Sequence, residues 1–154
     1  MLKAVLTILA LAVSINPALA ADTPSSSTRA DPMMDQYHAA VDRQDWKGAA
    51  ATMQAAIAKD PSNADYHSLY AYSLRKGGTA DMDIVFKQYN EALRLDPRHK
   101  GAHEYLGEAY LMVGNVAKAK DELSALDKLC FFGCSEYNEL KAAIAAHEAK
   151  TAKQ

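Results

Sequence analysis

The sequence of 154 residues is poor in the features that mark enzymes and nucleic-acid-binding proteins. Its formal net charge is -2 and its acidic and basic residues are interspersed, so it lacks a basic region that would attract nucleic acid. No Ser-His-Asp set, HExxH motif or glycine-rich phosphate loop occurs at a usable spacing. These absences disfavour an enzyme, and we expect neither a cofactor nor a bound metal.

Long apolar runs are also absent, apart from one short run near the N-terminus. Residues 4–15 form this uncharged run after Lys3, and Pro17-Ala18-Leu19-Ala20 follows it. The pattern predicts a secretory signal peptide at 1–20, cleaved after Ala20. The run is too short for a permanent transmembrane helix. We therefore expect a soluble periplasmic or secreted protein with no stable membrane insertion after cleavage.

Residues 21–30, ADTPSSSTRA, are rich in Ser, Thr and Pro and predict a disordered leader. From Asp31 onward, apolar residues recur with helical spacing, and runs of alternating β-branched residues are absent. Proline, glycine and N-capping residues interrupt this spacing, and Ser135 is the expected N-cap of the last helix. The interruptions divide the chain into seven predicted helices, at 32–43, 46–59, 64–76, 81–95, 100–113, 116–129 and 135–149.

The helical segments repeat a pattern of a large residue, a small residue and an aromatic, followed by small and apolar residues in a second helix. The clearest copy contains His103, Leu106, Gly107, Tyr110, Ala119, Leu123 and Leu126. The copy before it contains His67, Tyr70, Ala71, Leu74, Val85, Tyr89, Ala92 and Pro97, and a degenerate first copy has Ala49, Met53, Ala56 and Pro61. Over 31–131 the pattern resembles the tetratricopeptide repeat (TPR), a helix pair of about 34 residues.

This resemblance implies an all-α fold in which about three antiparallel TPR-like helix pairs stack as a short right-handed solenoid. The helix at 135–149 would cap the stack at its C-terminal end, so the repeat domain would span 31–150. We expect Gly107 to let the two helices of the third pair approach closely, and the extra residues of RKGGTADM to lengthen the turn in the second pair. His67 and His103 are interpreted as packing residues.

Trp46 follows Asp45 at the start of a predicted helix. We interpret it as a residue that packs under the turn, with an exposed anchor for a partner as the alternative.

Cys130 and Cys134, the only cysteines, follow the third pair with three residues between them. In an exported chain such a pair predicts a disulfide, which would clamp the turn before the capping helix. One alternative is a copper site of the Cys-x3-Cys kind, with His103 and His147 as available ligands. The other is a redox site, although a thioredoxin-like pair has two intervening residues at a helix start.

The resemblance places function in a concave groove lined by the first helix of each pair. The exposed inner positions that we predict to bind a partner are Met34, His38, Asp65, Ser68, Tyr72, Arg75, Glu104, Glu108 and Met112. These side chains suit a protein or peptide segment with some positive charge. The sequence thus predicts a non-enzymatic protein–protein interaction module, a periplasmic adaptor or scaffold. The alternative is a copper or redox accessory protein that uses the cysteine pair.

Overall fold

The computed structural model describes residues 31–78 and 81–153, so the predicted signal peptide and leader lie outside the described residues. The described part contains α1 (Pro32–Asp42), α2 (Trp46–Lys59), α3 (Ala64–Lys76), α4 (Met82–Leu95), α5 (Lys100–Met112), α6 (Val116–Leu129) and α7 (Ser135–Thr151). The all-α prediction is confirmed, and each helix begins and ends within two residues of its predicted bounds. None of these helices has the length and apolar character needed to cross a bilayer.

Local capping explains why the helix starts were predictable. The Asp45 carboxylate accepts a hydrogen bond from the Gly48 N–H at 2.8 Å, and Asn115 accepts one from the Lys118 N–H at 3.1 Å. The predicted N-cap of the last helix requires correction, because the N-cap is Cys134 and not Ser135. Cys134 has extended backbone angles, and its sulfur lies 3.4 Å from the Tyr137 nitrogen. Ser135 is already the first helical residue.

The helices form two layers. Among the described residues, α3 contacts α5 and α5 contacts α7, whereas no contact joins α2 to α4 or α4 to α6. Successive helices therefore pack more closely in the layer of α3, α5 and α7 than in the layer of α2, α4 and α6. This difference bends the stack towards the first of these layers, so α3, α5 and α7 line its concave surface. The first helix of the first pair, α1, contacts α2. Five residues separate α3 from α4, whereas three separate α1 from α2 and three separate α5 from α6, so the predicted extra length of the connection in the second pair is confirmed.

Each helix pair has its own set of buried residues, and neighbouring pairs complete them. Tyr66 of α3 closes the first cluster, Leu106 of α5 joins the second, and Leu140 and Ile144 of α7 close the third. A repeat therefore buries its apolar face only against its neighbour. The cap α7 performs this role for the last pair.

Gly107 has a different role from the one predicted. A β-carbon at this position would lie 2.6 Å from Cδ2 of Leu140, so the glycine makes room for the cap α7. The small residue belongs to the contact between successive inner helices. The prediction placed this contact between α5 and α6, whereas the atoms nearest to the position of the missing side chain belong to α7.

Candidate functional site

Three aromatic rings cross the concave side of the stack, and we refer to Trp46, Tyr72 and Tyr105 as the aromatic stripe. Trp46 belongs to the first turn of α2, Tyr72 to α3 and Tyr105 to α5. The ring centroids of Trp46 and Tyr72 are 5.9 Å apart, and those of Tyr72 and Tyr105 are 4.6 Å apart. All three side chains keep partial access to solvent. The stripe thus joins the first repeat to the third.

Two basic side chains lie against this stripe. The Arg75 guanidinium is 5.5 Å from the Tyr72 centroid and 6.0 Å from that of Tyr105, and Nη2 donates a hydrogen bond to Glu108. Arg75 is therefore paired within the molecule, between two rings and a carboxylate. Lys76 is exposed, and its ammonium lies 5.7 Å from the Trp46 centroid.

Four carboxyl groups form what we call the acidic cluster, with Glu104 and Glu108 on α5 and Glu136 and Glu139 on α7. Burial and a hydrogen bond with Glu139 raise the pKa of Glu104 to about 8, and the charges of Glu139, Glu108 and Glu136 act in the same direction. At neutral pH, Glu104 thus keeps its proton. Among the described residues, no lysine or arginine pairs with either of these two carboxyls.

The predicted site residues fall into two groups. Tyr72, Arg75, Glu104, Glu108 and Met112 come together, since Met112 Sδ lies 4.0 Å from Nη1 of Arg75. Others lie apart from this group: Met34 packs on the first core cluster, His38 stacks edge-on with Tyr37, and Asp65 lies 3.1 Å from Nε2 of His99.

The expected exposure of two positions requires correction. Ser68 and Glu104 are only 0% and 4% exposed, because successive inner helices pack directly against one another and close over these positions. Ser68 is thus unavailable to a partner in this conformation. Glu104 is covered too, but its neighbour Glu139 on α7 remains exposed.

Sequence reasoning missed Tyr105 and Glu139. Tyr105 follows Glu104 directly, and it reaches the stripe because α5 packs beside α3. Glu139 belongs to the capping helix, which the repeat pattern does not describe. A search for polar residues on the first turns of the cap would have found it.

His67 and His103 occupy equivalent positions and make equivalent hydrogen bonds. His67 Nδ1 lies 2.7 Å from Gln88 Oε1 and Nε2 lies 2.9 Å from the Pro61 carbonyl. In the next repeat, His103 Nδ1 lies 2.7 Å from Glu122 Oε2 and Nε2 lies 3.1 Å from the Pro97 carbonyl. The two histidines therefore link the start of a repeat to its second helix, in addition to packing.

Cys130 and Cys134 are joined in a disulfide whose Cα atoms are 5.5 Å apart. Gly133 has a φ of +84° and donates its N–H to the Cys130 carbonyl at 2.7 Å, so the loop turns sharply. The loop presents Phe131 and Phe132, which are 87% and 96% exposed. In residues 31–78 and 81–153, no three His, Cys, Asp or Glu side chains come together in a way that could hold a metal ion.

The chain matches the family model described as tetratricopeptide repeat over residues 34–81 and 87–129. It belongs to the tetratricopeptide repeat family. This match agrees with the helix pairs and their shared clusters of buried residues. No curated protein sequence gives a significant match.

Solved structures of the same fold have low sequence identity to the chain. The TPR2B domain of yeast Sti1, in a complex with pHsp70, has a TM-score of 0.69 at 21% identity, covering 80% of this chain and 99% of that one. The first TPR of Spaghetti (RPAP3), bound to the HSP90 peptide SRMEEVD, has a TM-score of 0.65 at 16% identity, covering 75% and 92%. The Yersinia enterocolitica type III secretion chaperone SycD, in complex with a peptide of the translocator YopD, has a TM-score of 0.65 at 18% identity, covering 84% and 98%.

Proposed function

We propose that this protein is a non-enzymatic, exported adaptor that binds a segment of a partner protein along its concave surface. The observation that carries the proposal is the continuity of the aromatic stripe with the acidic cluster. Tyr105 contacts Tyr72 on one side and directly follows Glu104 in α5. Partly exposed rings beside carboxyls offer both apolar contact and charge to a bound segment.

The acidic cluster indicates the charge of the segment. Glu104 keeps its proton at neutral pH, since its pKa is raised to about 8, and no lysine or arginine side chain in the described residues pairs with Glu104 or Glu139. A lysine or arginine of the partner can replace that proton and form the missing ion pair. Arg75 instead orders the surface, since its guanidinium is held by Glu108 and the two tyrosine rings. We therefore assign Tyr72, Tyr105, Glu139 and Met112 to the contact surface, with Glu104 acting on the bound charge from beneath it.

The solved structures of the same fold support a peptide as the partner, and the acidic cluster indicates that the charge of this peptide differs from that of the HSP90 peptide. Sti1, RPAP3 and SycD are each described in a complex with a peptide or protein segment. The HSP90 peptide SRMEEVD carries several acidic residues. The acidic cluster of this chain suits the opposite charge, so we do not expect it to bind such an acidic peptide.

Export is part of the proposal and is supported by the sequence of residues 1–20. The protein recovered from the periplasm or the culture medium should begin at or next to Ala21. Mass spectrometry of its N-terminus tests this directly. Exported material that retains Met1 would contradict the cleavable signal.

Selection from a library of displayed random peptides tests the binding chemistry. Peptides that bind the purified protein should be enriched in lysine or arginine together with aromatic or aliphatic residues. Their binding should weaken about tenfold or more in Glu139→Lys, since repulsion replaces the expected ion pair. The matched control is Glu91→Lys on α4, where the carboxylate already pairs with Arg94 away from the stripe. Enrichment of acidic peptides, or equal losses in both variants, would refute the proposed surface.

A further inference from the structure

A pocket of about 580 Å³ opens at the first-repeat end of the aromatic stripe. It lies where the turn between α1 and α2, the first turns of α2 and the end of α3 meet. Its apolar wall comes from Trp46, Ala50 and Leu74, and Ser73 and Gly77 line the side formed by α3. The volume lies within the range of pockets that hold small ligands or single side-chain groups. Trp46 belongs to both the pocket and the stripe, so the two are continuous.

Some polar groups around the pocket form hydrogen bonds within the protein, whereas its two lysines form no ion pair in the described residues. The Asp45 carboxylate caps α2 by accepting the Gly48 N–H at 2.8 Å, and the Ser73 hydroxyl donates to the Leu69 carbonyl at 2.7 Å. Lys47 lines the pocket, and the Lys76 ammonium lies over the ring of Trp46. Within the part of the chain that the structure describes, neither lysine pairs with a carboxylate.

An apolar wall beside two ammonium groups without ion pairs favours a ligand that combines an apolar group with a carboxylate. An aromatic or branched aliphatic group fills the space beside Trp46, Ala50 and Leu74 and removes apolar surface from water. A carboxylate next to that group interacts favourably with Lys47 and Lys76. A basic group there would meet two like charges. The charge preference is thus the reverse of that expected at the acidic cluster.

We propose that this pocket binds an aromatic or branched aliphatic side chain of the partner segment that has an acidic residue beside it. The biological occupant rests on the proposed function, whereas the binding chemistry of the pocket does not. The two ends of the concave surface then have opposite preferences. The segment binds in one direction, with its acidic residue near Trp46 and its basic residue near Glu104.

Trp46 provides a direct readout, because it is the single tryptophan of the sequence. The probe is 3-phenylpropanoate, compared with its neutral analogue 3-phenylpropanamide, in a fluorescence titration with selective excitation of tryptophan. We expect saturable binding of the acid with a Kd of about 1 mM and roughly fivefold weaker binding of the amide. Acetate, which has the charge without the ring, should leave the fluorescence unchanged.

Two variants assign the binding to the pocket. Lys47→Gln combined with Lys76→Gln should weaken binding of the acid about fivefold, to roughly the affinity of the amide, because the two ammonium groups beside the pocket are lost. Lys128→Gln, on an exposed site of α6, is the matched control and should change neither affinity. Ala50→Leu should fill the pocket and abolish both interactions. If Ala50→Leu does not fold, the double lysine variant and its control still test whether the pocket prefers the acid.

Equal affinities for acid and amide in the parent protein, no saturable change, or an unchanged acid affinity in the double lysine variant would each overturn the inference. Because the probe is a small molecule, this result is separate from the peptide selection. If the acid and the amide bind equally well but basic peptides are still selected, the proposed pocket is refuted and the proposed binding surface for the basic residue stands. If the probe binds but no peptide is selected, the proposed peptide-binding function is refuted and the proposed binding chemistry of the pocket stands.

Discussion

At the scale of single residues, His103 is positioned as a charged hydrogen-bond donor. Both ring nitrogens face acceptors, the Glu122 carboxylate and the Pro97 carbonyl. Burial lowers the pKa of His103, but the hydrogen bonds to Glu122 and Pro97 and the charges of Glu122 and Asp96 outweigh it, so the pKa is raised above its ordinary value. Protonation is therefore favoured more in the folded state than in the unfolded state.

The raised pKa predicts a pH-dependent contribution to stability. It is fully present below the unfolded pKa of about 6.5 and is lost as the pH rises through the higher folded pKa. His103→Gln should thus destabilise more at about pH 6 than at about pH 9, by roughly 1 kcal/mol, as measured by urea unfolding. His67→Gln is the matched control, because its partner Gln88 carries no charge. An equal pH dependence in the two variants would contradict the charged pair at His103.

Glu104 is a residue whose raised pKa lowers stability, and the proposed function gives it a part in binding. Its pKa of about 8 lies above the ordinary value, so the folded state binds more protons than the unfolded state between those values, and stability falls as the pH rises through this range. Glu104→Gln removes this cost while keeping a neutral side chain of similar shape.

We predict that Glu104→Gln increases the free energy of unfolding at about pH 8 by at least about 1 kcal/mol, with little effect at about pH 4. The same change should weaken the binding of selected basic peptides. Urea unfolding and peptide titration measure the two effects, and the exposed Asp127→Asn should change neither. Destabilisation by Glu104→Gln at both pH values would show that Glu104 is not a strained carboxyl.

At the scale of helices, the elements were predictable because their signals are local. Asp45 and Asn115 cap the helices that follow them, and proline and glycine mark the ends. Contacts between repeats were not predictable in the same way. Gly107 faces Leu140, a residue of the cap that the repeat pattern does not describe. Cys134 replaced Ser135 as the N-cap because the disulfide loop ends in extended backbone at that residue.

The contact between α5 and α7 gives a prediction for Gly107→Ala. The new methyl group would lie 2.6 Å from Leu140, so we expect a loss of about 1–3 kcal/mol in the free energy of unfolding. Gly101→Ala, in the same helix, is the control, since its β-carbon would meet atoms only at 3.5 Å or beyond. In Gly107→Ala/Leu140→Ala the combined loss should be smaller than the sum of the single losses. Additive losses would contradict this contact.

The disulfide gives a second prediction at this scale. Replacing both cysteines by serine removes the link but keeps a capping side chain at position 134, so the effect isolates the link. Hydrogen exchange should show lower protection in Ser135–Thr151, by up to about 2 kcal/mol, while α1 to α4 stay protected. Phe131→Ser/Phe132→Ser should leave protection unchanged, because both rings are exposed. Loss of protection across all repeats would contradict a local clamp.

At the scale of the whole molecule, the repeat pattern was enough to predict the stack of helix pairs. It identified Tyr72, Arg75, Glu108 and Met112, which do meet on the concave side. It did not predict that Arg75 would be paired internally or that Glu104 would be covered, because these features depend on how α5 and α7 pack on their neighbours. Repeat patterns specify positions along a helix, and the distance between successive helices decides exposure.

Site-specific photo-crosslinking tests the central claim, that the concave surface binds a protein segment. A crosslinking residue would replace Met112 beside the stripe or, as the matched control, Ile84 on the outer helix α4. Both are exposed apolar residues, at 58% and 43%. In cells that produce the protein, position 112 should form a discrete adduct that Glu139→Lys abolishes, and position 84 should form none. Adducts at position 84 alone, or at both positions regardless of Glu139→Lys, would contradict the account.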